Sequence, residues 1–207
     1  MPRRQLVKLG LFTGATSAIA IAAPRPAAAK HHFDNDIKIF NEAAMLEQRA
    51  INTYVAAAEN GLLPTQAFLD VAVEFAGDHT EHRDRLKLIV RDVFKGEPAN
   101  TEGLGTFPIP DNVLNGSEAD VLRYALTLEM LAAKAYLNNI RDNLTTSAGK
   151  NVAASIMPIE TQHVAVYRTV LKTLLNTDGL PGDGSKIVPF AFLSTQPTPA
   201  VPTGTTL

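Results

Sequence analysis

A shift of 82 residues lays one part of this chain over another, so that Ala43, Leu46, Glu47, Ala50 and Tyr54 fall on Ala125, Leu128, Glu129, Ala132 and Tyr136. A shift of 81 then places Thr80 and His82 over Thr161 and His163, and His79 over Glu160. Each copy therefore carries a Glu and a Tyr seven residues apart in one segment and an x-x-His element in the next. Apolar residues recur through both copies at helical spacing rather than in strand alternation. A duplicated pair of amphipathic helices must bury its apolar faces against its own repeat, which restricts the chain to a helical bundle made of two related halves.

The first helix is expected over residues 36–60, with Ile37, Phe40, Ala44, Ile51, Val55 and Ala58 on its apolar face, Asn35 as cap and Gly61 as stop. Pro64 suits the first turn of a second helix that runs to about Phe94 and ends at Gly96. So short a connection makes the first two helices antiparallel neighbours. From Gly96 to Gly116 the chain is rich in Gly, Pro, Asn and Thr and has no helical period. Extended, these residues span about 60 Å, enough to run the length of a bundle and start the third helix parallel to the second. Ser117 and Asp120 form a capping-box pattern at the head of that third helix, which reaches about Asn143. The fourth runs from about Ser147 to Leu175, with Pro158 expected to kink it just before Glu160; Gly77 holds the matching place two residues before His79.

The first 29 residues read as an export signal of the twin-arginine (Tat) type: Arg3-Arg4, a weakly apolar run, then Ala27-Ala28-Ala29 as the cleavage site. Its removal takes away four basic residues and no acid, shifting the formal net charge from −2 to −6. That leaves nucleic-acid binding without an electrostatic footprint. Contact with a membrane is expected only during export, and the mature chain is expected in the periplasm or outside the cell. Residues 30–175 make the bundle. Residues 176–207 form a C-terminal extension in which Ile187–Leu193 is expected to dock on the bundle and the Pro/Thr tail to be disordered.

The chain has no cysteine, so a metal would have to be held by carboxylate and imidazole, which favours hard or borderline ions. Glu160 and His163, three apart on a helix, project to one face. Glu47 and Glu129 lie among apolar neighbours, where an unpartnered carboxylate is costly. Seven residues on, Tyr54 and Tyr136 share those faces and either fill the core or bond a carboxylate. Glu74, Asp78 and His82 form one helical stripe, so each acid is either a surface charge or a further donor. His31 and His32 read as an exposed pair.

These doubled Glu and Glu-x-x-His spacings resemble the ferritin-like superfamily, in particular exported bacterial ferritin-like domain proteins related to rubrerythrin and bacterioferritin. The resemblance covers roughly residues 36–175. It implies an all-α, ferritin-like four-helix bundle running up-down-down-up, with the long crossover between the second and third helices. It further implies Glu47 and Glu129 as terminal carboxylates, His82 and His163 as terminal imidazoles, Glu160 as a bridge, and Tyr54 and Tyr136 bonded behind them. His79 stands where the family carries a second bridging Glu. Three carboxylates and three imidazoles would leave two divalent ions with one positive charge uncompensated. The implied cofactor is iron, one or two ions, with manganese or zinc as alternatives. The implied chemistry is iron binding and oxidation with dioxygen or peroxide. A peroxide-dismutating di-manganese enzyme, a non-catalytic stress-related bundle and self-association into a homo-oligomer remain open.

Overall fold

The computed structural model describes residues 27–176 and Leu180, with side chains from Phe33 onward. The export signal before Ala27, the apolar segment Ile187–Leu193 and the Pro/Thr tail lie outside the described residues. Five helices make up the described chain: α1 (Ala27–Glu59), α2 (Gln66–Asp92), the short α3 (Asp111–Leu114), α4 (Glu118–Asn138) and α5 (Ser147–Thr169). Both α4 and α5 continue into one wider π-helical turn, Asn139–Asn143 and Val170–Leu174. Among the described residues no helix is long and apolar enough to cross a membrane.

Gly61 ends α1 in the left-handed region at φ 64°, where a glycine carries no Cβ penalty, and the Leu62 amide reaches back to the Ala57 carbonyl. At the other end the expected boundary was wrong. Helix α1 begins at Ala27, so Asn35 lies inside it and donates its side chain to the Asn143 carbonyl instead of capping. Pro64 precedes the cap of α2, which is Thr65, and the backbone turns at Lys95 (φ 58°) before Gly96 is reached. Helix α5 passes through Pro158 as one element, because Pro158 and Ala154, whose carbonyl loses its partner, are both exposed to water.

Two antiparallel pairs, α1 with α2 and α4 with α5, form the bundle, and α2 meets α5 across it. The crossover runs along the outside of α1. Asn41 grips the Glu97 carbonyl and the Ala99 amide, Asn52 and Arg49 bond the carbonyls of Leu104 and Thr106, and Thr53 accepts the Phe107 amide. The contacts run from Asn41 with Glu97 to Thr53 with Phe107, so the connector climbs α1 toward its C-terminal end and delivers α4 beside the head of α2. There Glu118 accepts the amide and hydroxyl of Thr65. At the opposite end Asp36, fully buried, accepts the amides and hydroxyls of Thr145 and Thr146 just before α5. These two clasps set the up-down-down-up order. Gly149 leaves the room for the second clasp, since a Cβ there would lie 2.7 Å from Asp36 Oδ2.

Two apolar clusters fill the interior. One gathers Phe68, Phe75, Leu122, Leu126 and Leu171, and the other Phe40, Leu86, Val90, Phe94 and Ile156. Between them lies a layer of buried Glu and His. That layer explains a misread register in α1: Val55 is 43% exposed, and the inward stripe after Ala44 is Glu47, Thr53 and Ala57. Hydrophobic periodicity misses a face whose inward positions are polar.

Candidate metal centre

Each long helix contributes to the polar layer. Glu47 comes from α1, His79 and His82 from α2, Glu129 from α4, and Glu160 and His163 from α5, and all six are buried. Their donor atoms fall into two overlapping groups, Glu47 with His79, His82 and Glu160, and His79 with Glu129, Glu160 and His163. Within each group the atoms lie within 4.8 Å of one another. Glu160 and His79 belong to both.

The two shared residues behave differently. His79 bridges the halves by hydrogen bonds, donating from Nδ1 to Glu47 Oε2 at 2.6 Å and from Nε2 to Glu129 Oε1 at 3.2 Å. Glu160 sits 2.9 Å from His82 Nδ1 and 3.7 Å from His163 Nδ1. Despite that proximity, neither Glu160 oxygen nor His82 Nδ1 has a well-aligned hydrogen-bond partner. Buried polar atoms are nearly always paired, so a carboxylate with neither oxygen in an aligned hydrogen bond beside convergent imidazoles is a candidate position for a cation. The donor set, carboxylate and imidazole without thiolate, fits a divalent first-row metal.

The duplication appears here as geometry. Tyr54 on α1 donates to Glu129 Oε1 on α4, and Tyr136 on α4 donates to Glu47 Oε1 on α1, the latter at 2.5 Å. Each tyrosine serves the carboxylate of the other half, a pseudo-twofold exchange invisible to spacing within one helix. Tyr167, absent from the sequence-derived set, donates to the Tyr54 hydroxyl at 2.9 Å. Its signal was available, four residues beyond His163 on the same face.

Asp78 also reaches the cluster. Its Oδ2 lies 3.0 Å from His163 Nε2, while Glu74 stays exposed. A carboxylate on Nε2 holds a proton there, while Nδ1 in the metal-free protein donates to Glu129 Oε2 at 3.1 Å and is the atom that would turn to a metal. Phe75 stacks on the same ring at 3.8 Å between centroids. The symmetric place in the other half holds Ile159, so His82 has no such support from α5. From outside, Glu74, Asp78, Glu81 and Gln162 line a groove between α2 and α5 that ends at His82 and His163.

Burial alone would push these carboxyls up and these imidazoles down; pairing reverses both trends. Burial pushes Glu47 up, but the hydrogen bond from His79 and the nearby His82 imidazolium outweigh it and hold it at about 2. Against burial, Glu160 and Glu47 raise His82 to about 9, and Glu129 and Glu160 raise His163 to about 10. Glu129 is held well below the usual carboxylate range despite its burial, chiefly by the His79 charge. Glu160 is the exception. Burial and then repulsion from Glu47 push it up.

Two antiparallel helix pairs joined by a crossover around a buried carboxylate and histidine layer define a helical bundle with a candidate metal site. The chain belongs to the ferritin-like domain family, whose model matches residues 35–173. Neither a curated protein nor a solved structure matches it.

Proposed function

We propose that this protein is an exported metal-binding bundle that handles iron with dioxygen or peroxide. The observation that carries the reading is Glu160, fully buried, with neither oxygen in an aligned hydrogen bond at the meeting point of three imidazoles. Glu47, His79, His82 and Glu160 would hold one ion, and Glu129 and His163 would share Glu160 around a second. A neutral imidazole has one lone pair to offer, so His79 serves one position and not both. The first position, nearer the short Glu47 contact, is the better furnished. Manganese or zinc fits the same donors.

Bound there, iron supplies electron exchange with dioxygen or peroxide. The protein's own groups prepare the ground. Tyr54 and Tyr136 hold protons against Glu129 and Glu47 and orient one oxygen of each. Asp78 sets the His163 tautomer. The two apolar clusters close the layer above and below, and the groove between α2 and α5 leaves one approach to His82 and His163. Arg3-Arg4 and the Ala27–Ala29 site support Tat export of the folded chain.

A second reading rests on the Glu47–His79–Glu129 link, which straps α1, α2 and α4 together with no metal. In that case the layer is structural. An aerobic Fe(II) oxidation assay on wild type and Glu129→Ala separates the two. The metal reading predicts oxidation well above the buffer rate, lost in the variant; a wild type that neither binds metal nor exceeds the buffer rate refutes it.

A further inference from the structure

We infer that the cleft between α1 and α4 is a binding site for an unbranched aliphatic molecule with an uncharged end. Neighbouring helices in a bundle ordinarily interlock at about 8–10 Å between axes. Here α1 packs on α2 and α4 on α5, but α1 and α4 make at most marginal contact. Tyr54 and Tyr136 cross the gap in opposite directions, each ending on a carboxylate of the facing helix. They act as struts, each tyrosine and the glutamate it meets spanning the space between the two helices.

The residues facing that gap are too small to fill it. Ala43 and Ala50 on α1 look toward Ala132 and Ala135 on α4, flanked by Leu46 and Leu128, and a cavity of about 180 Å³ remains. An apolar cavity of about 150 Å³ is already enough to take up benzene. This one is elongated: the α1 wall runs from Ile39 to Ala57, about 27 Å at ~1.5 Å per residue. Its floor lies deep, at His79 and Tyr136, which are 2% and 5% exposed.

Shape and charge together select the occupant. A second copy of this chain would have to insert a helix about 10–12 Å across, too broad for a slot braced by two tyrosines, whereas an extended alkyl chain is far narrower. The ionisable groups on the walls are Glu42, Glu47, Glu129, His79 and tyrosines, with no Lys or Arg among them. The Tyr54 and Tyr136 hydroxyls already donate to carboxylates. An anionic head group would face acids, and the one cation on the wall, His79, is already engaged by Glu47 and Glu129, while an alcohol, aldehyde or amide end meets no such repulsion. The chain would then lie alongside Glu47 and Glu129.

The test uses the full-length, metal-free protein, so it stands apart from the metal reading. Calorimetric titration with decan-1-ol, decanoate and 1-adamantanol compares a thin neutral chain, its anionic counterpart and a bulky neutral molecule. Decan-1-ol is expected to bind at least about tenfold more tightly than either of the others. Ala50→Phe with Ala132→Phe, which fills the slot, is expected to weaken decan-1-ol by about tenfold or more, with folding checked by circular dichroism. Failure of decan-1-ol to bind up to its solubility limit overturns the inference. So does equal binding of decanoate or adamantanol, a comparison on wild type that holds even if the double variant does not fold. A dimer by light scattering that excludes decan-1-ol and dissociates with Ala50→Phe would assign the cleft to a second copy and likewise overturn it.

Discussion

Replacing His79 with glutamate tests what that residue does in the polar layer. His79 donates to Glu47 at 2.6 Å and to Glu129 at 3.2 Å from a site 2% exposed. His79→Glu deletes both bonds and adds a fourth carboxylate beside three others. Buried hydrogen bonds to charged groups contribute ~1.5–3 kcal/mol each. Their joint loss, before the added repulsion, costs the metal-free protein at least about 3 kcal/mol, or about 6–12 °C in melting midpoint for a domain of this size. With metal the sign reverses. Four carboxylates balance two divalent ions, so the variant is expected to bind two ions per chain and to be stabilised by them. Thermal denaturation of the chelator-stripped variant, followed by metal titration, reads both effects. A metal-free midpoint at or above wild type would refute the strapping role of His79.

Three further outcomes follow from the same geometry. Tyr136→Phe leaves Glu47 Oε1 without its donor and is expected to destabilise the protein by about 1–3 kcal/mol in urea denaturation. For the metal-free protein, His82 and His163 rise from 6.5 to about 9 and about 10 in the folded state, so their stabilisation is full below pH 6.5 and lost as pH climbs through those values. Glu47, lowered from 4.5 to about 2, gives stability present above 4.5 and lost as pH falls toward 2. Glu160, pushed up, adds stability that falls as pH rises above 4.5, so no group among these favours high pH, and a stability maximum above pH 9 would contradict the account. Asp78→Asn withdraws the carboxylate from His163 Nε2 and is expected to weaken metal affinity about 10- to 100-fold by competition titration, with the melting point of metal-free protein moving far less.

Much of this was legible in the sequence because it rests on local signals. Gly61, the Ser117 and Asp120 box and the aperiodic stretch after Gly96 each act within a few residues, and they locate helices and crossover. The six clustered donors were legible for a different reason: their spacing recurs in both halves. What depended on the opposite helix was not. Whether Tyr54 fills core or bonds a carboxylate is decided by Glu129, 75 residues away. Asp78 sat on the right stripe, but its partner His163 comes from α5 and not from its own helix. The α1 face was misread because Glu47 and Thr53 point inward where Val55 does not, and an apolar pattern cannot register a polar interior. Helix α1's early start escaped because the Ala-rich run at Ala27 reads equally as a cleavage site.

The central claim is that the buried layer is a metal site, and elemental analysis of the protein purified without added metal tests it most directly. Wild type is expected to carry at least about one transition-metal ion per chain, and Glu160→Ala, which removes the carboxylate shared by both donor groups, to carry almost none. A wild-type protein that folds normally, emerges metal-free and takes up neither iron, manganese nor zinc would contradict the account.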